Sequence, residues 1–181
     1  IFFPSEIEHK MYVLTDRLNA ISDNGLESWF KENLIDYLAH QFNIITGEEF
    51  PNQNNPANIN GVGIHAIYDP RYNRILFTKK DYLIINDAAS LTIVPTTDYV
   101  IDENVLYFVE ATSEFYVKGL PEIDLSDSSL SDLSDLSDLS EPFDGISKIP
   151  FSNTYYFENK SWTLSFSINT GVWVSWHSYL P

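Results

Sequence analysis

Residues 162–177 carry the clearest structural pattern in the chain and read WTLSFSINTGVWVSWH. Trp162, Leu164 and Phe166 alternate with small hydroxyl side chains, which is the period-2 pattern of a half-buried β-strand. The four residues after this strand break the alternation, and Gly171 among them can adopt the positive φ of a tight turn. The six residues that follow are again rich in valine and tryptophan. The sequence therefore predicts a β-hairpin with a short turn.

A second hairpin is predicted upstream. Its first strand covers 63–68 and its return strand covers 74–78. Asp69 and Pro70 begin the turn between them, because proline fixes φ and the aspartate can accept backbone hydrogen bonds that hold the tip. Two such hairpins make four antiparallel strands, the size of one propeller blade or half of a small sandwich. Shorter strands are predicted at 82–85, 91–94 and 105–109.

An amphipathic helix is predicted near the N-terminus, at about residues 24–42. Asn24 can cap its start, and Glu27 stands at the spacing of a capping box. Apolar residues recur there at helical steps: Leu26, Trp29, Phe30, Leu34, Leu38 and Phe42. This face packs into the core, or it docks Trp29 and Phe30 onto the next subunit of a ring. The predicted fold is mainly β, with antiparallel hairpins forming a propeller-blade-like or sandwich sheet and one amphipathic helix.

The chain is organised in four segments. Residues 1–50 form an N-terminal segment with the helix, 51–118 the first hairpin region, 119–150 an acidic low-complexity insert and 151–181 the second hairpin. Within the insert, residues 122–144 hold eight acidic and no basic side chains, and an Asp-Leu-Ser triplet repeats. A period of three fits neither a helix nor a strand, which predicts a solvated loop. An acidic docking strip, a calcium-ordered coil and a phosphorylated tract are the alternatives.

Composition excludes several classes of site. The chain has 181 residues, 10 basic and 26 acidic side chains, and a net charge of −16. Such a field repels phosphate, which counts against nucleic acid or an anionic membrane as the main partner. The absence of cysteine excludes disulfides, thiolate nucleophiles and zinc–thiolate sites. No apolar run approaches the ~20 residues that a membrane-spanning helix needs. The first residues carry no basic signal-peptide region and no initiator methionine, which predicts a piece of a longer chain.

Two stretches of the chain follow longer patterns. Residues 68–82 read YDPRYNRILFTKKDY, and residues 162–167 read WTLSFS, followed at 173–181 by WVSWHSYLP. They resemble the blade repeats of large tail proteins in short-tailed phages, above all the tail muzzle (nozzle-type) proteins of crAss-like phages. In that family one hairpin carries D-x-x-Y-N-R-I-x-x-T, and a later one carries S-W-T-x-S-F-S and then W-x-S-F/W-H-S-Y-x-P. Residues 18–25 are similar to the sequence that connects blades in the same family.

The resemblance implies a structural virion component on the axis of a phage tail, with no catalytic residues and no cofactor. It implies assembly in the bacterial cytoplasm, with other tail proteins and copies of the chain itself as partners. The acidic insert is not part of the family pattern. An acidic segment that faces the channel would repel passing DNA and keep it from binding tightly.

Six residues are assigned to structure and assembly: Trp29, Phe30, Asp69, Trp162, Trp173 and Trp176. Each tryptophan of the hairpins can bury roughly 150–250 Å² between adjacent sheets.

The sequence carries no motif that identifies a metal, phosphate or nucleophile site. Its histidines are His9, His40, His65 and His177. None of them forms a pair at metal-ligand spacing, so no metal site is predicted. His65 and His177 either meet across the sheet or serve as ordinary strand residues. Lys79 and Lys80 are interpreted as a solvated strand end.

Two alternatives to a structural role follow from the aromatic and acidic content. The first is a tail module that binds host-surface glycans through exposed aromatic side chains. The second is a glycosidase, which needs two carboxylates roughly 5–9 Å apart. Spacing selects no pair among the aspartates of the β region, which are Asp69, Asp81, Asp87, Asp98 and Asp102.

Overall fold

The computed structural model describes residues 1–5, 7–51, 61–85, 91–103, 105–119 and 145–177. The acidic segment 122–144 and Asp87 lie outside the described residues. Within those ranges the chain is mainly β, with antiparallel sheets and one bent helical region, which confirms the predicted fold class.

The elements follow one another along the chain. The first are strands β1 (Phe2–Ser5), β2 (Lys10–Leu14) and β3 (Leu18–Ala20), then helices α1 (Glu27–Asn33) and α2 (Tyr37–Thr46). Next are β4 (Gly63–Asp69), β5 (Arg74–Lys80), β6 (Tyr82–Ile84), β7 (Thr92–Val94) and a 3-10 turn at Thr97–Tyr99. The last are β8 (Tyr107–Val109), β9 (Glu114–Lys118), β10 (Ile146–Ile149), β11 (Phe157–Asn159), β12 (Trp162–Ser167) and β13 (Val172–His177).

The chain forms two compact units: residues 1–43, 49–83 and 160–181 make the first, and residues 44–48 and 84–159 make the second. The largest sheet of the first unit has the order β13-β12-β5-β4, and all its neighbours are antiparallel. The two predicted hairpins therefore lie side by side in one sheet. Their central strands meet where Leu164 pairs with Phe77.

A second sheet of the first unit, with the order β1-β2-β3, was not predicted. Its strands are only three to five residues long, and Pro4 lies within β1. Proline and short length both weaken the alternating pattern by which a strand is recognised. The sheet nevertheless contributes to the core, because the Phe2 ring packs edge-on against Phe77 and Phe166, with ring centroids 6.1 and 6.2 Å apart.

The core of the first unit lies between the four-stranded sheet and the N-terminal elements. Trp162, Leu164 and Phe166 all face this core, as their alternation predicts. Phe30 of α1 is fully buried against them, and its ring centroid lies 5.0 Å from that of Trp173. One face of the sheet is therefore covered by the chain's own helix and three-stranded sheet.

The helical region is present, but its boundaries differ from the prediction. It begins at Glu27 rather than Asn24, ends at Thr46, and is interrupted between Asn33 and Tyr37. Asn24 does not cap the helix; its side-chain amide donates to the carbonyl of Gly171 at 2.8 Å. Among the described residues, no helix is long and apolar enough to cross a membrane.

The second unit is built on a sheet with the order β10-β9-β8-β7. Its strands pair antiparallel except for β7 and β8, which run parallel. Buried side chains on one side of this sheet include Val94, Val100, Tyr107 and Val109. A group of edge-to-face phenylalanines also packs in this unit: Phe108, Phe115, Phe151 and Phe157.

The buried position of Phe30 gives the first prediction. We expect Phe30→Ala to lower the free energy of unfolding by about 3–5 kcal/mol, because it leaves a cavity among packed aromatic rings. Phe3→Ala is the matched control, since the Phe3 ring is partly exposed and stacks on Tyr12 alone among the described rings; its cost should be about 1 kcal/mol. Urea unfolding followed by tryptophan fluorescence measures both, and equal losses would contradict the proposed core.

Candidate functional site

A buried ion pair lies where the helical region is interrupted. Lys79 Nζ is 2.7 Å from Asp81 Oδ2, and both side chains are fully buried. The same ammonium group donates to the backbone carbonyls of Asn33, at 3.3 Å, and Ile35. The last carbonyls of a helix have no intrahelical donor. Lys79 therefore supplies donors at the point where α1 ends.

Asp81 caps the second helix. Its carboxylate accepts hydrogen bonds from the backbone amides of Tyr37 (2.8 Å) and Leu38 (3.1 Å), the first two residues of α2. The amide of Tyr82 donates to it as well, at 2.9 Å. Burial raises the pKa of Asp81, while Lys79 and the two helix amides act in the opposite direction. A carboxylate at this end of the helix also interacts favourably with the helix dipole.

The interpretation of Lys79 and Lys80 as a solvated strand end is wrong, because Lys79 is fully buried and Lys80 nearly so. The sequence did carry a signal for this. Ile75, Phe77 and Lys79 occupy successive inward positions of β5 under the period-2 rule. Asp81 follows two residues later, and a buried lysine requires such a carboxylate.

A cleft of about 700 Å³ opens beside this ion pair. Its lining includes Asp36, which lies 3.8 Å from Lys79 Nζ, together with His9, His40 and Glu49. The lining thus carries imidazoles and carboxylates. Even so, the described residues include no group of three or more histidine, aspartate or glutamate side chains arranged to hold a metal ion. We assign no ligand to this cleft.

Two of the four tryptophans point into the core of their own chain. Trp162 is buried, and its indole N–H donates to the carbonyl of Asn33 at 3.0 Å. Trp173 is half-buried, and its indole N–H donates to the carbonyl of Ile21 at 2.8 Å. Both polar groups of these rings are therefore satisfied inside the first unit.

The other two tryptophans, Trp29 and Trp176, form an aromatic rim at the edge of this core. Their ring centroids are 4.5 Å apart, and the ring planes are nearly perpendicular. Trp29 is half-buried and also contacts Trp162, with a centroid distance of 5.1 Å. Trp176 is 55% exposed. The aromatic rim therefore presents one indole to the surroundings.

The outer face of the four-stranded sheet carries a row of paired hydroxyl groups. The Oγ1 atoms of Thr78 and Thr163 are 2.9 Å apart, and the Oγ atoms of Ser165 and Ser175 are 2.7 Å apart. Thr163 and Ser165 are both buried. Each of these hydroxyl groups therefore has a cross-strand hydrogen-bond partner, which satisfies the buried polar atoms of this face.

His177 extends the hydroxyl row on β13. Its Nε2 atom lies 2.9 Å from Ser175 Oγ. Burial lowers the pKa of His177, and the positive charge of Arg74 acts in the same direction. The lowered pKa therefore favours the neutral imidazole at pH 7. His65 lies in the same cross-strand row, but β5 and β12 separate the two histidines by about 14 Å, so they do not meet.

Asp69 fixes the tip of the β4–β5 hairpin. Its Oδ1 atom accepts a hydrogen bond from the Arg71 amide at 3.1 Å, and its Oδ2 atom pairs with Arg74 Nε at 2.9 Å. The Arg74 guanidinium lowers the pKa of Asp69, and the backbone amides of the turn contribute to this shift. The structure thus has the backbone hydrogen bond that the turn pattern predicts.

Both edges of the four-stranded sheet expose apolar side chains. Within the described part of the chain, β4 and β13 each pair with a single neighbour. Ile67 and Tyr68 on β4 are more than half exposed, and Val172, Val174 and Trp176 on β13 are 42–55% exposed. Proteins usually protect such edges with lysine, proline or a covering segment. We call these two groups the β4 edge and the β13 edge, and with the aromatic rim they form the candidate functional surface.

Among the described aspartates considered for a glycosidase, Asp69 and Asp81 lie too far apart to act as a pair. Asp69 precedes β5 and Asp81 follows it, so seven strand residues separate the two carboxyl groups by roughly 23 Å. A glycosidase pair lies within about 10 Å. Asp98 and Asp102 belong to the second unit, where the Tyr107 hydroxyl contacts Asp102 Oδ2 at 3.2 Å.

Comparisons with protein-family models, with curated proteins and with solved structures found no match. The candidate functional surface is therefore defined by the geometry of this chain.

The buried ion pair gives the second prediction. We expect Asp81→Asn to lower the free energy of unfolding by about 3–5 kcal/mol, because it leaves the Lys79 ammonium buried beside an uncharged side chain. Glu27→Gln is the matched control. It removes an exposed i,i+4 ion pair with Lys31, and its cost should be about 0.5 kcal/mol or less. Urea unfolding measures both changes, and comparable losses would contradict the assigned role of Asp81.

The hairpin tip gives the third prediction, which concerns pH. The pKa of Asp69 is lower in the folded chain than its ordinary value of 3.8. The ion pair with Arg74 therefore stabilises the fold fully at pH values above 3.8. That contribution disappears as the pH falls through the folded pKa. We expect Asp69→Asn to lower the thermal midpoint at pH 7, and the difference from the native chain to shrink progressively as the pH falls below 3.8. Asp16→Asn, in the exposed turn after β2, is the control; a difference that persists in acid would rule out the ion pair as its cause.

Proposed function

We propose that the chain is a structural component of a phage virion, part of a tail muzzle (nozzle-type) assembly that lines or closes the tail channel. One observation carries the proposal. The stretches 68–82 and 162–167, which resemble the muzzle family, are far apart in sequence, yet they supply the central strand pair β5–β12 of one sheet. A blade repeat requires its strands to be brought together in this way.

The predicted assembly residues take distinct roles in this proposal. Phe30, Trp162 and Trp173 hold the four-stranded sheet to its helix by burying aromatic surface. Asp69 holds the hairpin tip. Trp176 in the aromatic rim and the two sheet edges meet neighbouring protein. The role is mechanical, so it requires neither a catalytic residue nor a cofactor.

The partners in this proposal are other tail proteins and copies of the chain, which assemble in the bacterial cytoplasm and become part of the virion. A net charge of −16 repels the phosphates of DNA. DNA that passes along such an assembly therefore does so without tight binding.

A specific observation favours a second candidate, a tail module that binds host-surface glycans. Trp176 is more than half exposed and stands against Trp29, and an exposed indole face is a suitable platform for a sugar ring. Binding on a glycan array that Trp176→Ala abolishes, with the fold intact, would favour this candidate over a purely structural role.

The fourth prediction tests the structural role directly. An antibody raised against the 181-residue chain should label one defined place on the tails of purified phage particles in electron micrographs. Peptides of the chain should be present in those particles at several copies per tail, because a muzzle is built from repeated subunits.

Antibody absorbed beforehand with the purified chain serves as the control for specific labelling. Peptides that occur in infected cells but not in purified particles would overturn the proposal.

A further inference from the structure

Further protein can join the four-stranded sheet more readily at its edges than on its faces. The inward face is covered by α1 and the three-stranded sheet. The outer face satisfies its own hydroxyl groups across the strands. The strands β4 and β13, by contrast, end the described sheet on either side. A strand at the edge of a sheet presents backbone N–H and C=O groups that another strand can pair with.

Both edge strands are free of charge along almost their whole length. Residues 63–68 and 172–177 contain no Asp, Glu, Lys or Arg, in a chain whose net charge is −16. Two copies of such a chain repel each other, and residues 122–144 alone carry eight of the negative charges. Electrostatic repulsion between copies is therefore weakest where the uncharged strands β4 and β13 meet.

The number of strands fixes how two copies can meet. The order β13-β12-β5-β4 alternates in direction at every step, so β4 and β13 run in opposite directions. A second copy in the same orientation therefore places its β4 antiparallel to the β13 of the first. The same placement keeps the inward faces of the two sheets on one side.

We infer that the β13 edge of one copy pairs with the β4 edge of a second copy, so that copies join head to tail in one continuous antiparallel sheet. The inference deepens the proposed function and rests on it, because it names the partner of the candidate functional surface as the chain itself. A head-to-tail contact leaves one edge unused on each end copy. Repetition of the contact therefore gives a ring if the rotation closes and a filament if it does not.

The exposed side chains of the two edges match on both faces under this pairing. Trp176 and Tyr68 lie on the inward side, because they stand opposite the core residues Leu164 and Ile75. Ile67 lies on the outer side with Val172, next to the hydroxyl row. Each edge therefore offers an apolar group to its partner on each side of the new strand pair.

The exposed side chains of the two edges supply part of the surface that a specific contact needs. Five apolar side chains of the two edges are 42–58% exposed, and together they present on the order of 500 Å². Pairing of β4 with β13 adds backbone hydrogen bonds on either side of the register shift at Val174 and covers the strand backbones. A standard specific interface buries about 1,200 Å² in total, so the two edges alone correspond to a small contact in which backbone pairing supplies much of the specificity.

The fifth prediction tests this pairing with the full 181-residue chain. Light scattering after size exclusion at 150 mM NaCl, over a range of concentrations, should give masses that are multiples of 20.8 kDa. Ile67→Lys and Val174→Lys each place a charge on one edge, and each should weaken self-association at least tenfold. Ile101→Lys is the matched control, since Ile101 is exposed to a similar extent outside both edges, and it should associate like the native chain.

Mixing the two edge variants distinguishes head-to-tail pairing from two-fold pairing. Ile67→Lys keeps an intact β13 edge and Val174→Lys keeps an intact β4 edge, so the mixture should form a heterodimer of twice the chain mass and nothing larger. Circular dichroism and thermal unfolding should show that both variants are folded.

Three results would overturn the inference. The first is a native chain that is monomeric at about 100 μM, and the second is a pair of edge variants that associate like the native chain. The third is a monomeric Val174→Lys variant together with an Ile67→Lys variant that still dimerises, which would indicate that β13 pairs with β13 of another copy. None of these outcomes bears on whether the chain is found in virions. Failure of the edge pairing is therefore distinguishable from failure of the proposed function.

Discussion

The buried pair of Lys79 and Asp81 is the interaction on which the first unit depends. Taking a lysine and an aspartate out of water costs several kcal/mol for each charge. That cost is offset because the ammonium group donates to two backbone carbonyls and the carboxylate accepts from three backbone amides. The pair therefore binds the end of one helix and the start of the next to a single strand end.

This attachment decides which aromatic rings are inside and which are outside. Because α1 is held at its C-terminal end, Phe30 faces the sheet and is fully buried, while Trp29 lies at the border of the core. The carbonyl of Asn33 accepts from both Lys79 and Trp162, so the ion pair and the aromatic core share an acceptor. Polar and apolar packing are thus coupled in this unit, and loss of either would disturb the other.

Local sequence predicted the parts of the fold that local pattern controls. The hairpins at 63–78 and 162–177 follow from alternation and from turn residues, and their pairing in one sheet follows from the number of strands. The interruption of the helical region was missed because the side chains that bind its backbone, Lys79 and Asp81, lie more than forty positions along the chain. The strands β1–β3 were missed because they are short. The two sheet edges could not be found either, since exposure depends on which strands end the sheet.

The aromatic rim connects the buried interactions to the candidate functional surface. Trp176 belongs to an edge strand, yet its ring rests on Trp29 of α1. A protein that covers Trp176 therefore also covers its contact with Trp29 of α1, the helix whose end is bound by Lys79. Because Trp29 is held in place by α1, it limits the orientations of the Trp176 ring that packs against it. Less side-chain conformational entropy is then lost when a partner strand binds. In the proposed edge pairing, the buried charges act only through the position of α1, because they lie inside the unit.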